Sequence, residues 1–182
     1  MILVIRFIGV LNAAIWLGAS VFFTFAAQGT FFSAEAKATG LHPFWPGVFA
    51  QLMIGKYFQL QAICAAIALI HLLADWVYLG RALHRITAGL LVVLFLLGLI
   101  GGLVLQPRMK EFHQITYSMS PAYKPMQMLP ERRLEAQASF RRWHGVAMGI
   151  NVIVLGCLVF YFWRIVHPPD NLRFVGTAKF RS

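Results

Sequence analysis

Four apolar runs, each long enough to cross a bilayer as a helix, leave this chain few folds to choose from. They cover about 3–27, 60–79, 86–105 and 143–163, and each reaches the roughly 20 residues that a helix needs to traverse the hydrocarbon. Backbone in lipid must satisfy its own N–H and C=O groups, so the runs are read as helices. The expected fold is all-α: one membrane domain over 1–182, a four-helix transmembrane bundle with polar loops at 28–50 and 106–142 and a polar tail at 165–182. Composition agrees, with 59% hydrophobic and only 12% charged residues, outside the range of ordinary globular domains. The first run exceeds the roughly 7–15 apolar residues of a secretory signal, so it is read as a span.

A formal net charge of +10 invites a nucleic-acid reading, but the Lys and Arg residues cluster beside span ends, where they meet anionic lipid head groups. Nucleic acid is therefore excluded. The expected partners are the lipid bilayer and other membrane protein subunits. Four crossings put both termini on one side with Arg6, Arg81, Arg85, Arg164, Arg173, Lys179 and Arg181; the nine remaining cations lie on the other. We place the chain in the bacterial inner (cytoplasmic) membrane with both termini cytoplasmic, because the short connection between the second and third spans carries Arg81 and Arg85.

The second span holds most of the chemistry. Tyr57, Gln61, Cys64, Ala68, His71, Asp75 and Tyr78 recur at heptad-like spacing, which puts nearly every polar or small side chain of the span on one helical stripe. A titratable group facing hydrocarbon costs about 2.5–3.5 kcal/mol, so His71 and Asp75 should face protein. One turn apart, the Asp75 carboxylate would hold one ring nitrogen of His71 while the other meets a ligand, the arrangement of a haem or related tetrapyrrole site. Asn12 and Asn151, counted from the ends of their runs, fall near the depth of His71, so a mid-membrane cluster of His71, Asp75, Asn12 and Asn151 is expected. The alternative is that these residues only bond helix to helix, at roughly 0.6 kcal/mol per contact.

The same counting separates His71 from His144 by roughly 15 Å, too far to clamp one iron, and Cys64 from Cys157 by a similar depth, which excludes a disulfide between them. Trp16 is read as a packing residue. Gly9 with Ala13, Ala14 with Gly18, and Gly98 with Gly102 form small-xxx-small pairs, and Gly145, Gly149 and Gly156 line one side of the fourth span; such faces let helices approach closely.

The loops carry a second constellation. His113, His144, Met126 and Met128 belong to one membrane face, together with His42, Met109 and Met119, and thioether with imidazole suits copper. Ser33 before Ala34–Lys37 predicts a short capped helix, and Pro130 opens an amphipathic helix that feeds into the fourth span. No nucleophile motif, phosphate loop or paired carboxylates is present.

Phe140-Arg141-Arg142-Trp143-His144-Gly145 followed by Asn151, with Trp16-Leu17-Gly18 and Phe22-Phe23-Thr24-Phe25 in the first span, resembles a family of small four-helix membrane proteins of unknown function, shared with TMEM-type animal proteins. That family is distantly similar to the copper-resistance protein CopD and to the HemJ type of protoporphyrinogen oxidase, which implies a bundle that handles copper or haem. HemJ-like proteins carry a histidine in the first span; this first span has Asn12 but no histidine. The expected function is a non-catalytic membrane subunit or accessory protein of a larger, redox-type complex, with a tetrapyrrole at mid-membrane. The alternatives are a copper-handling protein using the Met/His loops and a HemJ-like porphyrin-oxidising enzyme.

Overall fold

The computed structural model describes residues 2–31, 33–38, 44–78, 85–117 and 129–167. Helix α1 (Ile2–Val21) continues through a π-helical turn (Phe22–Ala27) into the short α2 (Gln28–Phe31). Then follow α3 (Ala34–Ala38), α4 (Phe44–Tyr78), α5 (Arg85–Ile100), a second π-helical turn (Gly101–Leu105), α6 (Gln106–Thr116) and α7 (Pro130–Val166). Four of these rods are long and apolar enough to cross a membrane: Leu3–Ala26, Phe44–Tyr78, Arg85–Thr116 and Pro130–Val166. The protein is an all-α four-helix bundle.

α1 packs on α4 and α7, and α5 packs on the other side of the same two helices. The chain therefore runs around a square in the order α1, α4, α5, α7. Contacts between α1 and α4 pair Asn12 with Cys64 and Trp16 with Gln61, so these two helices are antiparallel. Thr24 meets Asn151, and Trp16 meets Tyr161; α7 thus runs parallel to α4. The core is Ala13, Trp16, Cys64, Ala65, Ala68, Leu91, Leu94, Val154, Leu158 and Tyr161. Leu3, Phe7, Ile63, Ile70, Leu103, Val152 and Ile153 stay exposed on the outside. A helix apolar all round belongs in lipid, where the outward side chains lose no hydration by being there.

The helices outrun the apolar stretches. α4 has 35 residues and α7 has 37, about 52 and 55 Å at 1.5 Å per residue against about 30 Å of hydrocarbon. The expected amphipathic start at Pro130 is present, and Pro130 occupies the first turn, where a missing N–H costs nothing. The third rod does not open into a polar loop at Gln106-Pro107 as expected. The π turn before it lets the Gln106 N–H bond the Gly101 carbonyl, widening the helix where Pro107 could neither donate nor fit the preceding turn. The rod then continues through α6. The short helix expected after Ser33 is α3; the backbone N–H of Glu35 and the Ser33 hydroxyl donate to the Glu35 carboxylate and hold its pKa below the ordinary value.

Candidate functional site

The stripe expected on α4 is the buried one: Tyr57, Gln61, Cys64, Ala68 and His71 all face inward. Its polar groups do not gather at one depth. Asn12 donates to the Cys64 carbonyl at 2.9 Å, Tyr57 donates to Asn151 Oδ1 at 3.2 Å, and His71 lies beside Gly9. Seven residues separate Tyr57 from Cys64 and seven more separate Cys64 from His71, so each level is about 10 Å from the next. The expected cluster of His71, Asp75, Asn12 and Asn151 is a ladder, because helix register follows from where α4 and α7 start and not from where their apolar runs start. The same register corrects two separations. Cys64 and Cys157, seven and six residues beyond the Tyr57–Asn151 contact, lie at nearly one depth, and both are free thiols. His71 and His144 are 21 residues apart on this scale, about 30 Å.

His71 does not suit a tetrapyrrole. A Cβ placed on Gly9 would sit 2.2 Å from His71 Nε2, so the backbone of α1 covers the nitrogen that would reach iron. Asp75 Oδ1 is 3.9 Å from that same Nε2, beyond hydrogen-bond reach and on the ligand side of the ring, not behind it. The imidazole is 8% exposed, and Nε2 has no hydrogen-bond partner.

The histidines expected to hold copper are engaged with aromatic rings. His113, buried on α6, packs its ring near Phe44 and Tyr117 and its Nε2 against Gly47. His144, exposed on α7, stacks on Phe140 at 6.1 Å, and Phe140 also lies 6.5 Å from His113. Both imidazoles thus pack near the same phenyl ring. Among the described residues no three His, Cys, Asp or Glu side chains converge as a metal site would require. Met126 and Met128 lie outside the described residues.

What the bundle does build is a polar relay beside a cavity. Trp16 Nε1 donates to Gln61 Oε1, Gln61 Nε2 donates to Ser20 Oγ at 3.1 Å, and Ser20 Oγ donates to the Trp16 carbonyl at 2.8 Å. Below it, Tyr57 donates to Asn151, Asn151 Nδ2 donates to Thr24 Oγ1 at 2.6 Å, and Thr24 donates to the Ser20 carbonyl at 2.7 Å. The two chains join α1, α4 and α7. Trp16 is therefore a buried donor as well as a packing residue. Its i, i+4 spacing with Ser20 and Thr24 was the available signal, obscured because each residue alone looks like an ordinary member of an apolar helix.

The cavity lies between α4, α5 and α7, with a volume of about 90 Å³. Phe23 from the first π turn and Gly101 and Leu105 from the second contribute to its wall, with Tyr57, Phe58, Gln61, Asn151, Met109, Met148 and His144. Both π turns thus border the same space, a placement in which such turns are often functional. Phe23 stacks on Tyr57 at 4.2 Å. A wider groove of about 390 Å³ adjoins it on the loop side; Gln51 and Gln106 line both spaces. Gln51 Nε2 is buried without a hydrogen-bond partner. A donor left unpaired costs about 1–3 kcal/mol. Neither glutamine was singled out from sequence, since both sit where a carboxamide reads as interface polarity.

Fold and cavity together define an integral-membrane helical bundle with a partly open, mostly apolar space among its helices. The chain belongs to the family described as Domain of unknown function (DUF4149), whose pattern matches residues 11–118. No curated protein and no solved structure matches it.

Proposed function

We propose that the protein is a non-catalytic membrane component that holds one lipid-like ligand between α4, α5 and α7, as an accessory subunit of a larger membrane assembly. The observation that carries the reading is the mostly apolar cavity between α4, α5 and α7, with Gln51 among its lining residues. Size decides the ligand's shape: a cavity of about 150 Å³ takes benzene, and drug-sized ligands occupy about 300–1,000 Å³. At about 90 Å³ this one suits a slender hydrocarbon chain and not a tetrapyrrole. The likeness to CopD and HemJ-type proteins would favour copper or haem; the covered His71 ring and the packing of His113 and His144 on aromatic rings favour a chain instead. Gly145, Gly149 and Gly156 have nothing within 4 Å of an added Cβ, which leaves α7 a face that a partner helix could approach closely. We further place the bundle in the bacterial inner membrane with both termini cytoplasmic.

Ala147, on the cavity wall, offers the test. Native mass spectrometry of gently purified protein should find a retained lipid, and Ala147→Phe, which fills the space, should lose it while circular dichroism stays helical. Wild type free of lipid, or an Ala147→Phe variant that keeps it, would overturn the reading.

A further inference from the structure

The groove next to the cavity carries a charge pattern that the cavity alone does not explain. Lys56 on α4 and Lys110 on α6 line it, together with the carboxamides of Gln51, Gln59 and Gln106 and the ring of Trp45. Among the described residues that line it there is no Asp or Glu. Lys56 Nζ reaches Gln59 Oε1 at 3.4 Å, a long contact between exposed groups, so its charge is not neutralised there. The groove therefore offers two cations, several amide donors and an aromatic ring at the head-group level where Trp is at home.

We propose that this groove binds the phosphate head group of an anionic lipid whose chain enters the adjoining cavity. The inference rests on the cavity reading above and gives its ligand a chemical class. Gln51 and Gln106 line both spaces, so a single amphiphile can bridge them. Its phosphate meets Lys56 and Lys110, its polar linkage lies by Gln51 and Gln106, and its first methylenes pass Gly101 and Phe58 toward Asn151. The volumes follow the same order, about 390 Å³ for the head and about 90 Å³ for the chain. A lysine at a membrane surface contributes about 1 kcal/mol toward an anionic lipid. Losing both should therefore cost more than tenfold in preference.

The test is competition between phosphatidylglycerol and phosphatidylcholine for the full chain in nanodiscs, read by native mass spectrometry of retained lipid. Wild type should prefer phosphatidylglycerol, and Lys56→Gln with Lys110→Gln should reduce that preference by roughly tenfold or more while phosphatidylcholine retention is unchanged. Equal retention of the two lipids by wild type, or a preference that survives both substitutions, overturns the proposal. Displacement of phosphatidylglycerol by inorganic phosphate at millimolar concentration would reassign the groove to a free anion and overturn it also. Ala147→Phe separates the two readings. Loss of both lipids alike in that variant supports the cavity, whereas retention of both defeats the cavity and leaves the lysine result to judge the groove.

Discussion

At residue scale, glycines decide what the buried histidines can do. The His71 ring occupies the space a Cβ would take on Gly9, and the His113 ring does the same at Gly47. Each imidazole is therefore held by backbone, which makes His71 a packing group despite its depth in the bundle. Gly9→Ala should destabilise the protein by about 1–3 kcal/mol, the usual cost of overpacking, less the roughly 0.5–1 kcal/mol gained in helix propensity. His71→Ala should cost stability by itself, and the double variant should be more stable than the sum of the two singles predicts. Thermal unfolding in detergent reads all three; strict additivity would show that the rings and the glycine do not interlock. The inward position of His71 was legible in the sequence from its spacing with Tyr57, Gln61 and Cys64. Its neighbour was not, because Gly9 lies 62 positions away and a glycine announces a close approach without saying by what.

At the scale of elements, the same small-residue pattern has opposite meanings on two helices. On α5 and the π turn after it, Gly98 and Gly102 were the expected pair, yet Gly101 makes the tightest approach, with Phe58 Cε1 2.1 Å from an added Cβ. The π turn rotates the helix there and moves the contact between the two expected positions. On α7, Gly145 meets nothing within 4 Å. Gly101→Ala should thus lower stability by about 1–3 kcal/mol, and in a chain that also carries Phe58→Ala the combined loss should be smaller than the sum of the two single losses. Gly145→Ala should leave the isolated bundle as stable or raise it by about 0.5–1 kcal/mol through helix propensity. Equal losses at Gly101 and Gly145 in thermal unfolding would contradict this packing. Period and composition identified both helices as close-packing candidates. They could not foresee a π turn, which Pro107 invites and at which Phe58 packs on Gly101.

At the scale of the molecule, the bundle is longer than the layer it crosses, and its excess lies toward one face. α4 begins at Phe44 and α7 at Pro130, and α6 extends the third rod to Thr116; all three ends lie on the loop side, where the lysine groove opens. Apolar length alone marked the four crossings because lipid demands it, and Pro130 with the amphipathic pattern after it marked the start of α7, whereas the extension through α6 rests on contacts with α4 and α7 that hydropathy does not encode. Register followed the helices, so depths counted from run ends misplaced His144 and Cys157 but left the crossings intact. Thiol labelling can locate the boundary. In a chain carrying Cys64→Ala and Cys157→Ala, a cysteine introduced by Ala138→Cys should react with a membrane-impermeant maleimide, and one introduced by Val152→Cys should not. Both positions are exposed on α7, and 14 residues separate them, about 21 Å along the axis. Burial in protein therefore cannot account for a difference, and only lipid can. Running the reaction on inverted and right-side-out vesicles adds the orientation. Labelling at Ala138→Cys from the outer face alone agrees with cytoplasmic termini, labelling from the inner face reverses them, and equal reaction of both cysteines would remove α7 from the membrane.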